Sequence, residues 1–501
     1  MKKIEVIVVG AGPGGLATAL LLTQKGYSVK IFEKNSYIGG RNSSFKLGEY
    51  KFDLGPTIFL MPQILEDIFF ESGENLNDYI KIKEINPMYR LKFYGREDFF
   101  PYSNNQKHLM LAEMERVFPF SSQAYNNYIE RENKKFSNFE PSLKLPYLSF
   151  KDYFKPNFLK MIPYLDLMSS PYKIMRKYFK QNDLKIAFTF QTNYIGLSPW
   201  ITPGAFTFLS FLEYKYGVHY IEGGLNKLSE VMSSIIKKQG GKILINNSVK
   251  KIIFEDKKAV GIKLENGEVH KGDYVVVNAD FATAMSKLVP KNIRTKYSDK
   301  NLERKKYSCS AFMLYLGVNK AYPNIPHHNI IFAKDYKKNV NKINDNKDIG
   351  GDFSFYIQNP SVTDSTLAPK GKSSICVLVP VANNNSNIDW EKEKDDFIQL
   401  LIDKIEKIAN FENIRNYIEE LKVITPIDWE NKYHIYKGAI FNLSHNVAQI
   451  LSMRPHNELE GYKNLYIVGG GTHPGSGLPA IYSSAKIVSN MIQKREYENK
   501  N

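Results

Sequence analysis

The residues with the clearest chemical purpose are glycines. A short apolar strand, Ile4-Glu5-Val6-Ile7-Val8-Val9, runs into Gly10-Ala11-Gly12-Pro13-Gly14-Gly15 near the start of this 501-residue chain. Gly10 permits the tight bend, Gly12 lets backbone approach a pyrophosphate, and Gly15 lets the following helix pack close to the strand with its N-terminus toward the phosphates. Glu33 ends the next strand, Ser28-Val29-Lys30-Ile31-Phe32, about 20 residues after the turn, where a carboxylate can hold ribose hydroxyls. A second turn, Gly469-Gly470-Gly471-Thr472-His473-Pro474-Gly475-Ser476-Gly477-Leu478-Pro479, follows the strand Leu465-Tyr466-Ile467-Val468 at the far end. The chemistry these turns suit is dinucleotide binding.

The first turn by itself does not separate a nicotinamide from a flavin. Behind Glu33 stand Gly39, Gly40 and Arg41, a pair of glycines and a fixed cation that can bring amides and charge to the same diphosphate. An ordinary loop with a surface arginine is the plainer reading, and the position behind Glu33 disfavours it. No Ser/His/Asp set, paired carboxylates or metal cluster stands out by spacing, and no metal is expected. His473 is a weak catalytic candidate, better suited to a positional role in which its ring satisfies a backbone group. His327-His328 reads as a loop pair, because no third ligand lies at a telling distance.

The elements that must position these turns follow an interrupted α/β order. Helix is expected over residues 16–25 and 225–239, the latter with Leu225, Leu228, Val231, Met232 and Ile235 on one face. Strands are expected at 50–53, 242–245, 248–254, 259–264 and 274–277, the last an unbroken apolar run suited to a strand buried on both faces. Residues 76–222 lose this alternation, becoming aromatic, mostly helical and broken into short helices by Pro141, Pro146, Pro156, Pro163 and Pro171. Strands at 311–318 and 374–380 and helix over 390–411 follow, with exposed loops at 344–348 and 383–387. A chain of this length exceeds one ordinary core. Because both turns serve one nucleotide, the nucleotide-binding domain is expected to be discontinuous, formed by residues 1–75, 223–289 and 456–501. The substrate domain is inserted as 76–222, a membrane-contact part, and 290–455.

Composition narrows the setting. The hydrophobic share of 43% is that of a globular protein, and two cysteines, Cys309 and Cys376, read as core residues rather than a disulfide framework. Met1-Lys2-Lys3 before an apolar stretch imitates a secretory signal, but the glycine turn interrupts it, and no apolar run is long enough to span a bilayer. The expected location is cytoplasmic, peripheral on the inner face of the cell membrane. The net charge is +16. Between Phe139 and Lys180 eight Lys or Arg stand against three acids, interleaved with ten aromatics that include Tyr147, Phe150, Tyr153, Phe154, Phe158, Tyr164, Tyr172 and Phe179. That mixture suits helices lying on an anionic membrane surface. An aromatic core with a solvated lysine face is the alternative, and nucleic acid is not expected, because no nucleic-acid-binding motif accompanies the charge.

The chain resembles bacterial carotenoid desaturases of the phytoene and dehydrosqualene type, within the FAD-dependent amine-oxidase-like flavoproteins. The resemblance rests on the first turn with Gly39-Gly40-Arg41, Phe52-Asp53-Leu54-Gly55-Pro56-Thr57, Tyr194-Ile195-Gly196-Leu197-Ser198-Pro199, Tyr220-Ile221-Glu222-Gly223-Gly224, Asn278-Ala279-Asp280 and, most diagnostically, the Thr472-His473-Pro474-Gly475-Ser476-Gly477-Leu478-Pro479 turn. It implies an α/β fold: a discontinuous Rossmann-type FAD-binding domain with an inserted α+β substrate domain carrying membrane-associating helices. It implies FAD held by Gly10, Gly12, Gly14, Gly15, Glu33, Gly40, Arg41, Gly470, Gly471 and Pro479, with the Val249 backbone toward the adenine and a helix over 480–492 pointing its N-terminus at the flavin. The implied substrate is a long apolar polyprene, phytoene on the breadth of the family with dehydrosqualene close behind, and oxygen or a quinone takes the electrons. A hydrocarbon offers no polar handle, and side chains cannot accept a hydride, so the cofactor carries the step and the protein orients. A carotenoid-end oxidase shares these motifs, and an amine oxidase shares the nucleotide-binding ones.

Overall fold

A computed structural model describes residues 3–55, 57–147, 150–348 and 350–500. Met1-Lys2 and Pro56 of the 52–57 motif lie outside the described residues, as does the side chain of Phe150.

The core that carries the glycine turns is a five-stranded parallel sheet in the order Leu465–Ile467, Tyr274–Val277, Glu5–Val9, Ser28–Phe32, Lys242–Leu244. Its strands come from three separate stretches of chain. The alternation of apolar strand, glycine turn and amphipathic helix dictates parallel pairing with helices on the faces. All four residues of Tyr274–Val277 are buried, and each such valine withdraws apolar surface worth about 1.5–3 kcal/mol. Three helices, Pro13–Gln24, Asn226–Lys238 and Leu478–Lys500, bury their apolar faces together against one side of the sheet. The first begins at Pro13, three residues earlier than the periodicity suggests, because Pro at the first helical position loses no hydrogen bond. On the other face lies a three-stranded antiparallel sheet of Val249–Glu255, Lys258–Leu264 and Val269–Lys271.

A second sheet of six strands, in the order Ile418–Ile424, Ser310–Val318, Ser373–Val381, Phe355–Gln358, His328–Ile331, Arg90–Lys92, forms the floor of the inserted region. Ser310–Val318 is buried at every position. The helix Trp390–Lys407 covers one face with Trp390, Ile398, Leu401, Ile402 and Ile405. It ends four residues short of the expected 411. The Tyr50–Asp53 strand pairs with Ser44–Leu47 and packs on the other face, where the ring of Tyr50 fills the space a side chain at Gly317 would take.

Residues 76–222 are mostly helical, as the composition suggests, but three short strands also form there: Ile82–Glu84, Arg90–Lys92 and His219–Ile221. Pro141 breaks nothing. It lies inside the last turn of the 22-residue helix Ser122–Leu143, whereas Pro156 and Pro171 open the helices Pro156–Met161 and Pro171–Met175 from their first turns. The long helix buries Tyr125, Tyr128, Glu132, Lys135, Phe136 and Phe139 at helical spacing. The ammonium of Lys135 donates to Asp166 at 3.0 Å, to the Gly204 carbonyl at 3.0 Å and to Thr207 Oγ1 at 2.8 Å, pinning the following basic segment to the helix.

The basic-aromatic segment divides in two. Tyr147, Phe158 and Phe179 are core, not surface rings, whereas Lys151, Lys155, Lys160, Lys173, Arg176, Lys177 and Lys180 are exposed. Exposed beside them are Phe154, Leu159, Ile162, Leu167, Met168 (96%) and Ile201 (74%). Among the described residues no helix is long and apolar enough to cross a membrane. His327 and His328 are not a loop pair: both are buried, and His328 opens a strand. Asn383, expected in an exposed loop, is buried because its amide donates to the Ser308 carbonyl at 2.7 Å.

Candidate functional site

The two glycine turns, separated by more than 450 residues, meet at the same end of the parallel sheet. Val468 N donates to Val277 O at 3.0 Å and Asn278 N to Val9 O at 2.8 Å, so the three central strands end side by side. Gly10 has φ of +99°, and a Cβ there would lie 2.3 Å from the Asn278 carbonyl oxygen. A Cβ at Gly15 would lie 2.3 Å from Gly10 O, so the helix approaches the strand as closely as the motif requires. A Cβ at Gly12 would meet Asn278 Oδ1 at 2.6 Å, and one at Gly14 would meet Asn278 Nδ2 at 2.9 Å. Asn278 thus occupies the hub of the first turn. Its Nδ2 donates to Val468 O at 3.0 Å, while its Oδ1 is buried with no partner.

Glu33 is buried, and its carboxylate accepts from Ala11 N at 2.8 Å and from Asn35 N at 2.9 Å. Two backbone donors orient it while leaving acceptor capacity for hydroxyl groups. The Gly39-Gly40 loop folds back over the turn, with Gly39 N donating to Ala11 O at 2.8 Å and the Gly40 Cβ direction facing Gly12 Cα at 3.5 Å. Arg41 donates to the Ile440 carbonyl and lies in the field of Asp280. Asp280 is raised above the ordinary carboxylate range by burial, against the opposing pull of Arg41. Its carboxylate caps the helix Phe281–Leu288 through Thr283 N at 3.2 Å and accepts from Asn442 Nδ2 at 2.6 Å. Val249 opens its strand in the cluster that also holds Val9 and Phe32, on the Glu33 side of the turn.

The C-terminal turn is held from below and from the insert. Gly471 has no room for a Cβ, which would lie 2.3 Å from Phe281 Cβ. Ser476 Oγ donates to Gly470 O at 3.1 Å and also to Phe441 O, and Ser476 N donates to His445 Nε2 at 3.1 Å. Gly477, with φ of +100°, faces open space, and Pro479 lies in the first turn of the helix Leu478–Lys500, whose N-terminus therefore ends on the turn. His473 is buried, with its ring centroid 5.3 Å from that of Tyr147 in the insert. Burial holds it down at about 3, against the opposing pull of the Leu145 backbone. It packs as a neutral ring between the turn and the insert.

Several residues that position the site carry no signal of their own in the sequence. Asn278 and Asp280 belong to a motif whose roles spacing does not assign. Asp53, in the 52–57 motif, accepts from Leu225 N at 2.8 Å and Asn226 N at 3.3 Å, at the start of the helix Asn226–Lys238, and burial pushes it up to about 6. Arg454 and His445 support the C-terminal turn from residues that look like loop. In the insert, Glu213 is fully buried beneath Tyr89, whose hydroxyl donates to it at 3.1 Å, with Gln191 and Tyr214 adjoining through the same hydroxyl. Burial pushes Glu213 up to about 7.

The arrangement fits a dinucleotide with a redox ring. Gly12 and Gly40 stand where a side chain would obstruct backbone approach, Asn278 Oδ1 is an orphaned buried acceptor, and a Cβ at Gly477 would meet nothing within 4 Å. Among the described residues no group of three His, Cys, Asp or Glu could hold a metal ion.

Known proteins give the same picture. Residues 13–492 match the family described as flavin containing amine oxidoreductase. The chain is 43% identical over 491 residues to a 4,4'-diapophytoene desaturase (4,4'-diapolycopene-forming) of a Methylomonas species, covering 98% of this chain and 95% of the relative. It is 33% identical to the zeta-carotene-forming phytoene desaturase of Myxococcus xanthus, covering 97% and 93% respectively. Among solved structures, an oxidoreductase from Methanosarcina mazei superposes with a TM-score of 0.64 at 18% identity, covering 98% of this chain and 100% of the other.

Proposed function

The chain belongs to the flavin-containing amine oxidoreductase family, as a FAD-dependent carotenoid desaturase acting on CH–CH bonds, and we propose that its substrate is an acyclic polyprene of the 4,4'-diapophytoene type. The observation that carries this reading is the end-to-end match to the Methylomonas enzyme, which spans both glycine turns and the whole insert. Phytoene is the second reading, favoured by the Myxococcus relative.

The chemistry that FAD supplies when bound is acceptance of two electrons and a proton from a C–H bond next to an existing double bond. The protein's own residues do the rest. Glu33 and the first turn hold the nucleotide end, Asn278 locks the two turns into one cradle, and the C-terminal turn, held through Ser476 by His445 and the Phe441 carbonyl, fixes where a ring can lie against the insert. The N-terminus of the helix Leu478–Lys500 favours negative charge at that place. The aromatic clusters of the insert exclude water and give a hydrocarbon only shape to bind.

The insert is also the route by which a water-insoluble substrate arrives. Exposed Phe154, Leu159, Ile162, Met168 and Ile201, interspersed with exposed lysines, support docking on an anionic lipid surface. The protein then works as a peripheral enzyme on the inner face of the cell membrane and returns its electrons to oxygen or a quinone.

Feeding 4,4'-diapophytoene and phytoene separately to the FAD-loaded enzyme in liposomes, with a quinone as acceptor, tests the reading. Visible absorption from the thirty-carbon precursor is the expected result. Visible product from phytoene alone would select the second reading, and no visible product from either, with reducible flavin bound, would overturn both.

A further inference from the structure

Among the described residues three arginines are almost wholly buried, and two of them face carboxylates. Arg90 lies 3.7 Å from Asp98, and Arg294 lies 2.8 Å from Asp299. Arg454, 1% exposed, has no carboxylate partner among the described residues. It is held by backbone oxygens alone: Nε donates to Thr472 O at 3.0 Å, Nη1 to Gln449 O at 3.1 Å, and Nη2 to Gly470 O at 2.6 Å and Leu443 O at 3.3 Å. Four carbonyl dipoles take four of its five N–H donors without cancelling the unit charge. Two of those carbonyls belong to the C-terminal glycine turn itself.

The charged groups around it do not pair with it, and Glu460, which pulls Lys305 up, accepts from Lys296 at 2.5 Å. His445 and His473 are kept neutral by burial, with Arg454 pushing both further down. Lys305 is lowered by burial, then by Lys296 and Arg454. Asp280, the carboxylate that reaches toward this turn, is taken by Asn442 and the field of Arg41. Burial alone lowers Arg454 itself, to about 9, which still leaves it charged near neutral pH. An isolated buried cation is costly, and proteins retain one where something compensates it. The helix Leu478–Lys500 directs its positive end to the same turn.

We propose that Arg454 is a positioning and charge-supplying residue that favours the reduced state of the bound flavin, its missing counter-charge being the negative charge the ring gains when it takes up two electrons and one proton. The proposal rests on the FAD-dependent reading above. It also explains why the guanidinium binds the carbonyls of Gly470 and Thr472: the same contacts that place the charge shape the turn.

The test is the midpoint potential of FAD bound to the full-length wild type and to R454K and R454M, measured beside free FAD, with flavin content and melting temperature of each. The wild type is expected above free FAD. R454M is expected to favour the reduced form at least ten-fold less, which for a two-electron couple is about 30 mV, while R454K keeps the elevated potential at a lower melting temperature. A wild-type potential at or below that of free FAD overturns the proposal, as does a folded, flavin-loaded R454M at the wild-type potential. If R454M does not retain flavin, R454K decides, and a potential for it equal to that of free FAD overturns the proposal. A wild type that binds no flavin would instead be the failure of the FAD reading.

Discussion

The side-chain amide of Asn278 donates to the carbonyl oxygen of Val468 at 3.0 Å, and so a residue from the middle of the chain ties the first glycine turn to the last. The same side chain fills the space beneath Gly12 and Gly14, which makes it the hub around which the nucleotide cradle closes. Replacing Asn278 with Leu removes this bond and leaves the Val468 carbonyl without its donor. A loss of about 1–3 kcal/mol in urea unfolding is expected, with flavin content falling well below that of the wild type. Full flavin content and unchanged stability would show that the two turns hold together without it.

The first turn itself is tested at Gly12, Gly15 and Glu33. Gly12→Val puts a branched side chain against Asn278 and into the path of the diphosphate, and Gly15→Ala drives a methyl into the Gly10 carbonyl. Glu33→Ala removes the acceptor that orders Ala11 N and Asn35 N. All three are expected to purify with little or no FAD, read from the absorbance ratio of flavin to protein. A yellow, fully loaded Gly12→Val protein would contradict the cradle.

Glu213 gives the stability a pH dependence of defined sign. Its folded value of about 7 lies above the ordinary 4.5, so the native state binds the proton more tightly than the unfolded chain does. The stability this contributes is complete below about pH 4.5 and is lost as pH rises through about 7, a difference on the order of 3 kcal/mol. Glu213→Gln keeps the shape and cannot ionise. Comparing urea midpoints at pH 5 and pH 8 should show the wild type losing more stability than the variant over that interval. Equal losses would mean that Glu213 is not held in its neutral form.

Membrane docking is tested with vesicles. The wild type should co-sediment with liposomes containing anionic lipid and be partly released by salt, because surface charges are screened within about 10 Å at 0.1 M ionic strength and inserted apolar groups are not. Charge reversal at Lys155, Lys160, Lys173 and Lys177 should weaken binding to anionic vesicles. Met168→Glu with Ile201→Glu, both at exposed apolar positions, should weaken binding even at high salt. Equal binding of wild type to neutral and anionic vesicles at every salt concentration would count against the basic-aromatic surface.

The sequence by itself determined the nucleotide-binding half of this protein. Strand, glycine turn and helix are local patterns: Gly10 needs a positive φ, Gly15 needs the missing Cβ, and Tyr274–Val277 needs burial on both faces. Those demands are written in adjacent residues, so they could be read without coordinates. The tertiary structure alone decided which residues from distant stretches complete the site. Asn278, Arg454 and His445 act through contacts across the chain, and nothing in their neighbours distinguishes a buried polar hub from a residue in a surface loop. The same reason separates Tyr147 and Phe158, which are core, from Phe154 and Met168, which are exposed. Aromatic and basic residues at mixed spacing suit either environment, and only the packing of Ser122–Leu143 and the 147–180 segment against the rest of the fold chose between them.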